Sequence, residues 1–316
     1  MRNYADADNL HARIYAMRGR LLSLSDYASI TREQVSDKIS GNRNMIEDKE
    51  KLFRDQIAPV VSLAEAYDKY APVFLAYLRQ YEAHNVKLLL ARASGKESLD
   101  QWYDIGPYSI LNKDLLTKNL SLDEIKSLLA DTYLACDFKD ISSFRRMEIQ
   151  MDISTARNLY NASALLSGQA KNEFQEMMLR RIAVLSVIWS YRLRGYYRFR
   201  DEQIRSYLKK FHDLFGGHVE PHMWIVEEAL NRRIEQLQKS GAQKPSIVDI
   251  ERHIEQDYYA WVSSQFHRDF HSIYCVIAYL WLLFYQIRNL FRIIDGRRFG
   301  FTPEAILNKM ICEALG

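Results

Sequence analysis

The chain has 316 residues, room for two or three domains of ordinary size. Forty-three Lys and Arg against 40 Asp and Glu leave a net charge of +3, too near balance to draw nucleic acid or an anionic membrane by long-range attraction. Twelve glycines and six prolines, with none of the prolines between Pro107 and Pro221, withhold the turns a β-rich fold needs and predict a chain that is nearly all helix.

The N-terminal "MRNYADADNL" carries Asp6 and Asp8 and no apolar core, so neither a secretory signal nor a transit peptide is expected. The charged stretch from Thr31 to Asp55 reads as a solvated helix face. From Val60 to Leu88 the apolar residues Val60, Leu63, Ala64, Tyr67, Phe74, Leu78, Tyr81 and Leu88 follow a spacing of three and four, which places them on one helix face. Asn85 falls on that buried stripe. An unpaired amide there would cost about 1–3 kcal/mol, so it is expected to tie the helix to a neighbouring backbone.

Farther along, "YQIRNLFRIIDGRRFG" repeats the pattern, with Tyr285 and Asn289 spaced like Tyr81 and Asn85. Three stretches run into arginine and then glycine: "NVKLLLARASG" at Arg92 and Gly95, "LSVIWSYRLRG" at Arg192 and Gly195, "NLFRIIDGRRFG" at Arg297, Arg298 and Gly300. A basic last turn followed by a left-handed glycine is also an ordinary helix C-terminus. Upstream of each stands an apolar residue followed by Glu, at Ile46-Glu47, Met147-Glu148 and Ile250-Glu251, and the three Glu-to-Gly distances are 48, 47 and 49 residues. The middle copy has Leu185 in the asparagine position. Three blocks about a hundred residues apart predict three homologous helical-bundle domains, 1–105, 106–215 and 216–316. Helix starts are expected after each block, at Ser121, at Asp201 and at Thr302 with Pro303. Linkers are expected at 94–109, 215–221 and 240–246, where Gly, Pro and Ser gather.

Residues 273–285, "IYCVIAYLWLLFY", hold no charge. A membrane span takes roughly 20 apolar residues, so this shorter run is expected inside a domain. Cys275 lies within it. Together with Cys136 and Cys312 it makes an odd, scattered set that suits a reduced, cytoplasmic compartment.

Neither "GxxxxGK[ST]" nor "GxGxxG" occurs, and neither does "GxSxG" or "HExxH", so no cofactor, nucleotide, metal or catalytic role is expected. His218 and His222, like His267 and His271, stand four apart, a spacing that could serve zinc but lacks a third ligand; exposed or capping histidines are the plainer reading. Residues 190–210 interleave Arg192, Arg194, Arg198, Arg200 and Arg205 with Tyr191, Tyr196, Tyr197 and Phe199, which could serve nucleic acid, but Asp201 and Glu202 interrupt the patch. A repeated helix end explains the same residues.

The segments "NLHARIYAMRGRLLSLSDY" (9–27), "NVKLLLARASG" (85–95) and "IRNLFRIIDGRRFGFTPEAI" (287–306) resemble the C subunit of archaeal and bacterial V/A-type ATP synthases, which is similar to subunit d of vacuolar ATPases. The chain departs from the family pattern at Leu185 and in the 31–60 region. The resemblance implies an all-α funnel of three bundles with pseudo-threefold symmetry. It implies a non-catalytic place in the rotor, between the central-shaft subunits and the membrane ring of ion-carrying subunits, peripheral to the membrane and without insertion in lipid. On that footing the basic turns Arg92 with Lys96, Arg192 with Arg194, and Arg297 with Arg298 are candidate contacts to acidic groups of a rotor partner. The competing reading is that they only neutralise helix carbonyls. A cytoplasmic helical scaffold outside any rotary ATPase is the alternative assignment.

Overall fold

Scarce glycine and proline leave long uninterrupted helices. In a computed structural model that describes residues 7–32, 42–96, 101–135, 144–239 and 245–312, the chain forms α1 (Ala7–Arg18), α2 (Leu24–Arg32), α3 (Asn42–Ala66), α4 (Ala71–Ala93), α5 (Leu122–Leu129) and α6 (Phe144–Asn161). It continues with α7 (Gly168–Gly195), α8 (Asp201–Asp213), α9 (Glu220–Lys239), α10 (Ile247–Phe266), α11 (Ile273–Arg298) and α12 (Pro303–Leu307). No strand occurs among the described residues, so the fold is all-α.

The chain divides into two compact units, residues 1–10 with 34–166 and residues 11–33 with 167–316. The division at Leu166 falls inside the stretch 106–215, because in the first unit α6 packs on α4, whereas in the second α7 packs on α9, α10 and α11.

In the first unit, α3 buries Met45, Lys49, Phe53 and Ile57 at four-residue spacing, so the charged stretch conceals an apolar stripe. All eight apolar residues named between Val60 and Leu88 are buried, yet seven are divided between two helices and Tyr67 lies in the turn between them. The chain turns at Tyr67–Tyr70, and Pro72 sits in the first turn of α4, where its missing N–H costs no helix bond. The expected linker at 94–109 is in its described part a docked strap: Gln101, Trp102 and Ile105 are buried, as is Leu111 just beyond. Ser121 caps α5 in a reciprocal capping box with Glu124.

In the second unit, α10 and α11 pack along each other and α7 lies against both. Every residue from Ile273 to Tyr285 is buried except Phe284, and 89% of the most apolar window of α11 is buried inside the protein. A helix whose apolar surface is already covered by protein is a core helix, although its length and composition would serve a membrane span. The segment carrying "MRGRLL" docks on this core. The Tyr15 hydroxyl donates to the Phe266 carbonyl at 3.2 Å, the Leu22 N–H donates to Gln286 Oε1 at 2.7 Å, and α2 packs on α12. Thr302 caps α12 with Pro303 in its first turn, as expected. In α8, Arg200 takes the cap position and Asp201 is the first helical residue. Cys136, residues 240–244 and the side chain of Glu148 lie outside the described residues.

Candidate functional site

The two buried asparagines each bond to a backbone. Asn85 donates from Nδ2 to the Tyr103 carbonyl at 2.8 Å and accepts the Tyr103 N–H at 2.8 Å. Asn289 donates to the Ile311 carbonyl at 2.7 Å and accepts the Ile311 N–H at 3.0 Å. A primary amide presents one donor and one acceptor side by side, which matches the N–H and C=O of one extended residue. Each asparagine therefore holds a downstream segment on the long helix that carries it.

Three residues before each asparagine stands a second holder that spacing did not single out. Glu82 accepts the Ile110 and Leu111 N–H groups, both at 2.7 Å, and the Tyr133 hydroxyl; Gln286 accepts Leu22. Burial raises the Glu82 carboxyl above its ordinary range, while the Tyr133 hydroxyl and the two backbone donors pull it back. In α7 Leu185 is half-buried, while the next residue, Ser186, is fully buried with its hydroxyl 3.1 Å from His212 Nε2.

The second unit also buries a charged centre. Arg181 of α7 reaches Glu255 of α10 at 2.6 Å, the Tyr285 hydroxyl donates to the same carboxylate, and Arg288 stands 3.5 Å away. The guanidinium lies 5.2 Å from the Tyr258 ring centre and 4.9 Å from that of Trp281. Burial by itself would raise the Glu255 carboxyl, but Arg181, then Arg288 and the hydroxyl of Tyr285, outweigh it and hold it down at about 2. Lys87 and Asp152 make the corresponding α4–α6 tie at 2.5 Å in the first unit. Asp152 and Glu255 occupy matching places, each four residues after a landmark glutamate.

The basic turns lie at helix ends and differ in their surroundings. Arg92, in the last turn of α4, and Lys96, just beyond it, are exposed. Arg192 forms a two-pronged pair with Glu251, both bonds 2.6 Å, and Arg194 pairs with Asp201 at 2.8 Å. Arg297 donates to the Ile30 carbonyl, and the exposed Arg298 lies 5.9 Å from the Phe299 ring centre. Two of the five arginines of the 190–210 stretch are thus engaged with carboxylates of the chain itself. Gly95 and Gly300 adopt the left-handed conformation, with φ of 73° and 69°. Gly195 does not, contrary to the expected cap; Arg198 takes φ 56° instead, and a Cβ at Gly195 would stand 1.9 Å from Ile247 Cδ1, so the end of that side chain would have to shift.

His218 lies in the turn before α9, and His267 and His271 both follow the end of α10, so neither histidine pair shares a helix face. Among the described residues no three His, Cys, Asp or Glu side chains gather as metal ligands.

What these polar residues do is tie long helices to one another and to their straps, and the class they define is an all-helical protein. The family model of the ATP synthase (C/AC39) subunit matches residues 51–309, and the chain belongs to this family. It is therefore an accessory subunit of a V/A-type ATPase and associates with that membrane-bound complex. No curated protein matches the chain.

Proposed function

We propose that the protein is a non-catalytic rotor subunit of the central stalk, joining the central shaft to the membrane ring of ion-carrying subunits. The family match over residues 51–309 carries this reading. Two features of the interior support it. A torque coupler must not deform, and close-packed helices with few voids are stiff. The Asn85 and Asn289 clamps hold connecting segments on α4 and α11, and the buried Arg181–Glu255 pair ties α7 to α10. The reading includes descent from one helical unit in three copies, 1–105, 106–215 and 216–316, which the matching asparagine clamps support.

The basic turns at Arg92 and Lys96, Arg192 and Arg194, and Arg297 and Arg298 are its proposed contacts with acidic groups of shaft or ring subunits. Charge reversal at all three, followed by pull-down of those subunits, is expected to weaken assembly; unchanged assembly removes these residues from the interface. The rotor placement itself is tested by cross-linking within the intact complex. A covalent link from this chain to a ring subunit should leave ATP turnover intact, since the two would rotate together, and turnover lost through that link would place the chain outside the rotor.

A further inference from the structure

Asn85, Leu185 and Asn289 mark one level on the long helices α4, α7 and α11, and three residues beyond them stand Leu88, Ile188 and Arg292. Leu88 and Ile188 are buried, and Arg292 is half-buried. One residue before that level stand His84, Val184 and Arg288. Of the three helices, α11 is thus the one with two arginines at these positions, four residues apart and so on one helix face. A periodicity that puts an apolar side chain inside α4 and α7 puts a guanidinium there in α11.

The acceptors around this pair are few. Glu255 is the carboxylate beside it, but Arg181 already meets both of its oxygens, at 2.6 and 3.3 Å, and the Tyr285 hydroxyl donates to one of them. A carboxylate has about four acceptor positions, so little capacity is left. Arg288 approaches the same group at 3.5 Å. Arg292 donates to Asn289 Oδ1 at 3.0 Å, an oxygen that also accepts the Ile311 N–H, and forms no ion pair among the described residues. Three guanidiniums, Arg181, Arg288 and Arg292, therefore share one carboxylate, an excess of two positive charges. Burial, then repulsion from Arg288, pulls the Arg292 guanidinium down to about 10, with Glu255 acting the other way. Cations withdrawn from water cost free energy unless an anion meets them. Arg288 keeps 39% of its side chain exposed, so an anion can reach the pair from solvent.

We propose that Arg288 and Arg292 bind a phosphate group, free or carried on an ester, at the solvent-facing edge of the Arg181–Glu255 centre. A phosphate group carries about −1.5 to −2 at neutral pH, which matches the excess of two positive charges. Its oxygens point in several directions, so guanidiniums one turn apart can each donate to it, whereas the two coplanar oxygens and single charge of a carboxylate suit one guanidinium fork. The inference does not use the rotor placement, and its test needs no other subunit.

The test is calorimetric titration of the purified full chain with inorganic phosphate at neutral pH, the ionic strength held constant with sodium chloride. Saturable binding at one site is expected, with a Tm that rises as phosphate is added. Arg292→Leu, which installs the residue type found in α4, and Arg288→Gln should each weaken binding about tenfold or more. Neither should lower the Tm measured without phosphate by as much as phosphate raises it in the parent. Arg205→Gln, at an exposed position of α8, is the control and should bind like the parent. Circular dichroism with unchanged helicity qualifies each variant. Glycerol phosphate serves as a second ligand: binding of both supports a site for phosphate borne on a larger molecule, and binding of inorganic phosphate alone supports one for the free ion. The proposal is overturned if phosphate does no more than sodium chloride, if both arginine variants bind as the parent does, or if the control loses as much as they do. Loss of co-purifying subunits by Arg292→Leu, with no phosphate binding by the parent, would overturn it in favour of a partner's carboxylate.

Discussion

Arg181 and Glu255 meet at 2.6 Å with side chains only 7% and 8% exposed, from helices α7 and α10 that are 74 residues apart in the chain. Removing one partner leaves the other charge buried without compensation. Glu255→Gln should therefore destabilise the second unit by about 3–5 kcal/mol, while Arg181→Met combined with Glu255→Leu should recover most of that loss. Urea unfolding of the single and double variants checks this; a double variant as unstable as the single one would contradict it.

The same pair sets an acid limit. Held at about 2 in the folded chain against an ordinary 4.5, the Glu255 carboxyl contributes stability that is complete above about pH 4.5 and drains away as pH falls toward 2. The loss is roughly 3 kcal/mol by linkage. Glu82 acts in the opposite direction, since its raised carboxyl makes protonation less costly in the folded state. Comparing the parent with the Arg181→Met/Glu255→Leu variant across that window should show a flatter profile for the variant.

The asparagine clamps respond to chemistry more than to size. Asn85→Asp keeps an acceptor for the Tyr103 N–H but turns a carboxylate oxygen toward the Tyr103 carbonyl, so it should destabilise more than Asn85→Ala, which leaves both groups unpaired at about 1–3 kcal/mol each. Asn289→Asp and Asn289→Ala should rank the same way at Ile311. Thermal melts at neutral pH would show the order.

Cys275 is fully buried in α11, and burial, with Asp269 nearby, pushes its thiol up to about 12. A variant keeping Cys275 as the single cysteine should not react with an aromatic disulfide reagent at pH 8 until denaturant is added. Fast labelling of the folded chain would mean that α11 opens readily.

Gly296 is a matter of space, since its backbone is helical. A Cβ there would stand 2.5 Å from Ile306 Cγ1, so Gly296→Ala should cost about 1–3 kcal/mol. Ile306→Ala in the same chain removes the obstructing atoms, and a double-mutant cycle should show the two losses to be far from additive.

Sequence alone determined that this chain is helical, where much of its interior lies and which helix ends are basic, because periodicity, capping and composition act over a turn or two of chain; the buried stripe of Met45, Lys49 and Phe53 was hidden by the charges around it. The buried stripe through Leu88, the caps at Ser121 and Thr302 and the need of Asn85 for a backbone partner were all legible there. So was the interior placement of residues 273–285. Tertiary structure decided which partner each polar group receives: Tyr103 for Asn85, Ile311 for Asn289, Glu255 for Arg181. It also divided the stripe at Tyr67–Tyr70, docked part of the expected linker through Gln101, Trp102 and Ile105, and set Gly195 against Ile247 without a left-handed backbone. Those outcomes depend on how helices far apart in the chain pack against one another, and a spacing of three and four residues states that a face is buried without stating what covers it.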